Sequence, residues 1–544
     1  MGRKIGIDLG TTYSCVYTVD GTGSLRLLPN EDGDDLTPSI VYINPANNEA
    51  NVGASARADG VMDPDNYVER VKNYMGDPNY RFTDSNGDSY SAAAISTLIL
   101  QKLVRGAEEA LKGEEIEGAV ITCPAYFGDQ ARAATKLAGE SVRLRNGKTL
   151  TVLKILDEPT AAAIAYASTL SENVHKKVLI YDLGGGTFDL TLMQIDWSDT
   201  DRKMQVLTTA GNHQLGGKDW DAILTRLVID KFCEATNCDR AQMENDPEMK
   251  VWFSENIEKA KRALTAKENT SLTIYFDGNK EQVDISRAEF EFATEALLSE
   301  TIALIFDMFE RSGLNAADAM DEIILVGGST FMPQVKRRLQ ETFSKPLRQY
   351  EPNKAVAMGA ALVASGAERS NARKGGTPST LISSTLPSGE EREMTIVENC
   401  TKSYGFKILW GENDEVRNLN LILKDTPKPA RRSSDEVTGL IITGAKGNFA
   451  TGLNFTFFET DSKEDFPSDE EVNEMYEPGQ IPLEEPAPCG APIEVVLELD
   501  ENGILSLTLT LLDTGKKYKM LPVRKSEASD QEGLDSVKRM TLVG

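Results

Sequence analysis

Apolar and polar positions alternate in short runs through the first 45 residues, and the pattern predicts a meander. Ile5 and Ile7 precede a turn, an alternating strand follows Tyr13, Asn30-Glu31-Asp32-Gly33 turns again, and residues 39–43 form another strand. The period then changes. Residues 67–76 carry helical spacing that ends on Gly76, and residues 91–111 predict a long amphipathic helix with Ile95, Leu98, Leu103 and Ala107 inward and Gly113 as its stop. Buried strands are expected at 119–122 and 153–156, each leading into a helix, one opening at Asp129 and one around Pro159. The alternation resumes with strands at 178–192 and 322–326, helices at 255–266 and near Pro333, and a small-residue helix at 353–361. Ser286-Arg287-Ala288-Glu289 reads as a capping box that opens one apolar helix reaching Phe309. Strand and helix in alternation predict an α/β unit whose sheet is covered on both faces and whose ligands collect at strand ends.

Beyond residue 366 the pattern differs. Residues 367–398, rich in Ser, Thr, Gly and Pro, read as a linker. Short strands are then expected at 406–410, 419–423, 439–443 and 453–459. The clearest signal is a hairpin: Val495, Leu497 and Leu499 alternate, Asp500-Glu501-Asn502-Gly503 turns, and Leu505, Leu507, Leu509 and Leu511 alternate again. The chain therefore divides into an α/β unit (1–366), a linker (367–398), a β-sandwich (399–523) and a polar tail (524–544).

A length of 544 residues exceeds what one core supports. The net charge of −27 argues against nucleic acid as a partner, since phosphate backbones demand basic surfaces. No apolar run approaches the ~20 residues of a spanning helix, and Met1-Gly2-Arg3-Lys4 enters a strand without a signal-peptide core. Gly6 stands where myristoylation of Gly2 calls for Ser or Thr. The expectation is a cytoplasmic protein with no membrane partner. Its six scattered cysteines read as free thiols, and two histidines leave little material for a histidine triad or metal cluster.

Candidate chemistry centres on Tyr181-Asp182-Leu183-Gly184-Gly185-Gly186-Thr187-Phe188-Asp189. Three glycines between two strands bring bare backbone amides close to an anion, and Asp182 and Asp189 beside it can handle a divalent cation or a water. Alone, such a segment is a tight turn. A second copy, Ile5-Gly6-Ile7-Asp8-Leu9-Gly10-Thr11-Thr12-Tyr13-Ser14, implies two related half-domains facing one nucleotide. Gly327-Gly328-Ser329-Thr330, after a strand, is a third place for close backbone approach. Gly211 to Asp219 resembles a phosphate loop but lacks the Lys-Ser/Thr pair directly after the second glycine.

In this order the sequence resembles the 70-kilodalton heat-shock chaperones (DnaK-like). The matching stretches are IGIDLGTTYS from Ile5, NEDGDDLTPSIV from Asn30, PAYFGDQARAATKLAG from Pro124, EPTAAAIAYA from Glu158, DLGGGTFDLTL from Asp182, EKAKRAL from Glu258, VGGST from Val326 and AVAMGAA from Ala355. The resemblance implies an actin-like (ribonuclease H-like), two-lobed ATPase with ATP or ADP and Mg2+ in a central cleft, and K+ as a further candidate ion. Gly10, Thr11, Thr12 and Tyr13 match its first phosphate loop, and Gly185, Gly186 and Thr187 its second. Asp8 and Asp182 match acids that hold magnesium through water. Lys72, Glu158, Asp182, Thr187 and Asp189 match the set around the attacking water. Glu258, Lys261, Arg262, Thr265, Gly328 and Ser329 match the adenosine side, while Pro124 and Arg132 match a pair implicated in signalling between domains. Phosphoryl transfer needs positioning and charge neutralisation more than a strong base, which suits this inventory.

The departures are specific. Phe331 replaces an arginine that packs on adenine, Gln214 a histidine and Lys218 an acid, and residues 77–91 are short for the family. Glu393 to Glu398 stands in for the coupling linker. Ala487-Pro488-Cys489-Gly490-Ala491-Pro492 and Leu499 to Leu505 resemble the family's peptide-binding domain, while 524–544 is too short for its helical lid. The resemblance thus implies an ATP-hydrolysing chaperone of protein folding and the stress response, with extended or unfolded polypeptides, a J-domain co-chaperone and a nucleotide exchange factor as partners. The alternatives are a non-cycling, ATP-binding co-chaperone or scaffold of the same family and, from another class, an actin-fold small-molecule kinase.

Overall fold

A computed structural model describes residues 2–170, 174–197, 202–315, 319–366, 380–385, 391–411 and 414–543. Two sheets dominate the first 366 residues and repeat one plan. In the first, the order is Val152–Asp157, Ile116–Cys123, Arg3–Asp8, Tyr13–Val19, Leu25–Leu28. In the second, it is Leu347–Gln349, Glu322–Val326, Val174–Leu183, Phe188–Trp197, Arg202–Asn212, and the strand directions match pair for pair. Each plan closes with a small-residue helix, Glu158–Ala167 and Ala355–Gly366. These two helices touch backbone to backbone: a Cβ at Gly359 would lie 1.8 Å from the Ala161 carbonyl oxygen, so only glycine fits. The duplication inferred from the two glycine hairpins is therefore a duplication of topology.

Most predicted elements form, and the exceptions have tertiary causes. Ser91 caps the helix Ala92–Ala110 by accepting from the Ala94 amide at 3.2 Å. Residues 67–76 are not a helix. Tyr67–Glu69 is a strand paired with Ile40–Asn44, and a left-handed Arg70 (φ 57) leads into a 3₁₀ turn, Val71–Tyr74. The predicted helix from 287 to 309 breaks at Thr294, whose hydroxyl donates back to the Phe290 carbonyl, giving Arg287–Ala293 and Glu295–Arg311. The capping box at Ser286 and Glu289 is present.

The β-rich region beyond residue 399 carries its own core. Ser403–Trp410, Glu415–Ile422, Phe457–Thr460 and Val472–Asn473 form one sheet, and Ala430–Ser433, Pro492–Leu499, Leu505–Leu511 and Lys517–Met520 another. Phe406, Phe457, Tyr476, Val495, Leu497 and Leu507 lie in that shared core. The strand expected at 453–459 is two strands, Phe449–Phe455 and Phe457–Thr460, which belong to different sheets.

Both flanks of this β-unit differ from expectation. Within the segment read as a linker, Glu391–Val397 pairs in parallel with Arg202–Asn212, and Thr380–Thr385 adds beyond it, so the second sheet gains two strands. The rest of 367–390 lies outside the described residues. The segment read as a polar tail forms the helix Glu527–Val537 and the strand Thr541–Val543. Leu534, Val537 and Leu542 join the same hydrophobic core as Ile5, Ile95 and Leu98. Among the described residues, no helix is long and apolar enough to cross a membrane.

Candidate functional site

The two glycine hairpins meet. A Cβ on Gly185 would lie 1.9 Å from Thr12 Oγ1, and one on Gly186 would lie 2.9 Å from Thr11 Cγ2. Alanine fits neither place without displacing the facing threonine. Further bonds fix the second hairpin: the Gly217 and Lys218 amides donate to Gly184 O and Gly185 O, each at 2.9 Å, and Ser329 Oγ donates to Gly184 O at 2.8 Å. On the first hairpin Ser39 Oγ donates to Gly10 O at 2.7 Å.

Beside the hairpins lies a cavity of about 630 Å³. Its end against the hairpins is lined by Asp8, Gly10, Thr11, Thr12, Tyr13, Lys72, Glu158, Asp182, Gly185 and Thr187. Its far end is lined by Glu258, Lys261, Arg262, Thr265, Gly328, Ser329 and Phe331. Gly186 and Asp189 do not line it; Asp189 stands directly across the strand pair from Asp182. Pro124 and Arg132 lie elsewhere, at the junction with the β-unit.

The electrostatics of the hairpin end are unbalanced. Asp8, Glu158, Asp182 and Asp189 cluster around Lys72, which donates to Glu158 Oε1. Burial and the Glu158 charge push the Asp8 carboxyl up to about 7 and Asp189 up to about 8. Asp182 rises well above the usual carboxylate range through burial, Glu158, Asp189 and Asp8. Burial alone would lower Lys72, but Glu158 and Asp8 outweigh it and hold the ammonium above its ordinary value. Buried acids in this excess call for added positive charge. The donors are all oxygens. That combination fits Mg2+, a hard ion that keeps several of its waters.

The far end is pre-organised. Lys261 Nζ donates to Asp221 Oδ2 at 2.9 Å and to Gly217 O at 3.0 Å. Arg262 pairs with Glu258 at 2.7 Å, and its guanidinium sits 5.1 Å from the Tyr13 ring centroid. Phe331 is 43% exposed beside this wall, an aromatic face open to a flat ligand. The sequence reading missed Arg57, Tyr67, Glu69, Arg70 and Asp221, which also line the cavity. Asp221 had one signal, its place one helical turn beyond Gly217; Tyr67, Glu69 and Arg70 follow from the pairing of Tyr67–Glu69 with Ile40–Asn44, and Arg57 lies on the helix Ala54–Met62.

At the junction Arg132 is buried, donates from Nε to Phe127 O at 2.7 Å and pairs with Asp157. Lys428 of the β-unit stands 3.5 Å from Asp157, and Lys154 stands 3.2 Å from Glu398. Asp129, fully buried, accepts from both Arg524 nitrogens at 2.7 Å, from Tyr476 Oη at 3.0 Å and from the Leu505 amide at 2.7 Å.

Comparison with known families adds the identity of this architecture. A family model described as "Hsp70 protein" matches residues 4–371, which include every residue that lines the cavity. The chain therefore belongs to the Hsp70 family.

Proposed function

We propose that this chain binds Mg·ATP in the cavity between the two sheets and hydrolyses it to control the hold of its β-unit on extended polypeptide. Membership of the Hsp70 family supports ATP-dependent chaperone activity in general, together with J-domain co-chaperones, exchange factors and unfolded polypeptides as the partner classes. The observation that carries the reading for these particular residues is Lys72 set among four clustered carboxylates, beside two abutting glycine hairpins. In this reading the hairpin amides and the hydroxyls of Thr11, Thr12 and Thr187 cradle the phosphates. Lys72 neutralises charge that develops on the transferred phosphoryl group, and Glu158 fixes the lysine in place. Asp182 and Asp189 orient the attacking water, and Asp8 and Asp182 would hold the metal. Bound magnesium supplies further neutralisation of the phosphates. Glu258, Lys261, Arg262, Thr265, Gly328, Ser329 and Phe331 seat the nucleoside.

Steady-state turnover with and without an extended apolar peptide tests this, with Lys72→Ala as the blank. The blank is expected to fall by roughly 100-fold, and peptide is expected to stimulate the wild type. Turnover no higher than the blank would remove the hydrolysis claim.

A second reading, an ATP-binding scaffold that does not cycle on clients, has its own support. Both flanks of the β-unit are woven into the sheets around the cavity, an arrangement that favours one fixed docking over repeated release. Tight ATP binding without turnover would select it. A small-molecule kinase would phosphorylate an added hydroxyl acceptor instead of water, and the family match leaves that reading without support.

A further inference from the structure

The two flanks of the β-unit join two different sheets, each of which contributes residues to the cavity. On one side Lys203, Met204 and Gln205 pair with Thr395, Ile396 and Val397. That strand belongs to the second sheet, whose central strands carry Asp182 and Asp189. On the other side Thr541, Leu542 and Val543 pair with Glu49, Ala50 and Asn51. This small sheet runs Thr541–Val543, Glu49–Val52, Ile40–Asn44, Tyr67–Glu69, and its last strand feeds the turn that bears Lys72. Ile40, Tyr67 and Glu69 from the same sheet, and Arg70 just after it, line the cavity.

The attachment is built rather than incidental. Arg524 clamps Asp129 through two bonds. Gly533 lets the helix Glu527–Val537 approach Ser91 so closely that an added Cβ would lie 2.9 Å from its amide nitrogen. Arg105 donates to Leu542 O at 3.0 Å, and the Thr541 amide donates to Asn48 O at 3.2 Å.

We infer that the β-unit and residues 524–543 form an intramolecular strap that ties the Lys72 wall of the cavity to the Asp182 wall and thereby slows nucleotide release. A ligand held between the walls leaves when they separate. Separation here requires either the 541–543 strand or the 391–397 strand to leave its sheet, or the β-unit itself to deform. Two attachments on one rigid body reinforce each other, because breaking one leaves the other holding the first nearby.

The inference rests on the nucleotide reading above, and its test separates the two. Stopped-flow release of a fluorescent ATP analogue with Mg2+ is measured on the full chain, on Arg524→Met and on Thr541→Pro. Thr541→Pro removes one amide donor at an exposed edge, so it stays folded even where Arg524→Met, which strands the buried Asp129, does not. Release from Thr541→Pro is expected to be at least roughly 5-fold faster than from wild type, with faster release from Arg524→Met as well. An unchanged rate from Thr541→Pro, with its circular dichroism native, would overturn the strap. No binding by wild type would instead remove the nucleotide reading on which the strap depends, and overturn the strap with it.

Discussion

Asp157 and Glu158 are consecutive residues at the start of one helix, and they face opposite environments. Asp157 looks toward the β-unit, where Arg132, Lys428 and Lys154 surround it and Glu398, and where Arg524 answers Asp129. Each of those three acids has a cation paired with it. Glu158 looks toward the glycine hairpins, where Lys72 stands among Asp8, Glu158, Asp182 and Asp189. The response differs between carboxylates, and burial still raises Asp157 and Glu459 on the β-unit side. Against burial, Lys154, Lys428 and Arg132 hold Glu398 at about 2, whereas Asp189 is pushed up to about 8. A balanced cluster holds two parts of a fold together, whereas an unbalanced one stores a demand for a positively charged ligand.

The largest expected effect breaks the balanced side. Asp129→Ala leaves Arg524 mostly buried with no carboxylate, and removing one partner of a buried pair costs about 3–5 kcal/mol, to be read from urea unfolding. On the unbalanced side the sign reverses. Asp189→Asn relieves repulsion and is expected to raise the stability of the nucleotide-free protein by about 1 kcal/mol while lowering turnover; a fall in its melting temperature would break the comparison.

The pH response sharpens the same contrast. Asp8 and Asp189 bind protons more tightly folded than unfolded, so their contribution to stability is full below about pH 4 and is lost as pH rises through about 7 and 8. Glu398 acts oppositely: its contribution is present above about 4.5 and is lost as pH falls toward 2. Adding Mg2+ should therefore raise the melting temperature more at pH 8 than at pH 6. The smallest effect is expected at the far end of the cavity. Phe331→Ala removes one aromatic face, worth about 0.5–1.5 kcal/mol, a few-fold loss in nucleotide affinity measured by calorimetry.

The chain wrote its local features plainly. Two Asp-Leu-Gly hairpins announced the duplicated topology, Ser286 and Glu289 announced a helix start, and the alternation through 495–511 announced a hairpin that forms over Pro492–Leu499 and Leu505–Leu511. What it hid depends on distant partners. Residues 67–69 have helical spacing, yet pairing with Ile40–Asn44 makes them a strand, and that pairing alone brings Arg70 to the cavity. Asp129 looked like an ordinary acid at a helix start, because its partners Tyr476, Leu505 and Arg524 lie some 350–400 residues away. Residues 524–543 looked like a polar tail because Leu534, Val537 and Leu542 are too sparse to announce a core, and the surface that buries them belongs to the opposite end of the chain.

The central claim is that the acid excess around Lys72 awaits a metal-bound phosphate ligand. Calorimetric titration of ATP at pH 7.5, with Mg2+ and then with a chelator in its place, tests it most directly. Binding that requires Mg2+ is the predicted result, because ATP alone would add negative charge to a site already rich in it. Equal affinity with and without the metal would contradict the account.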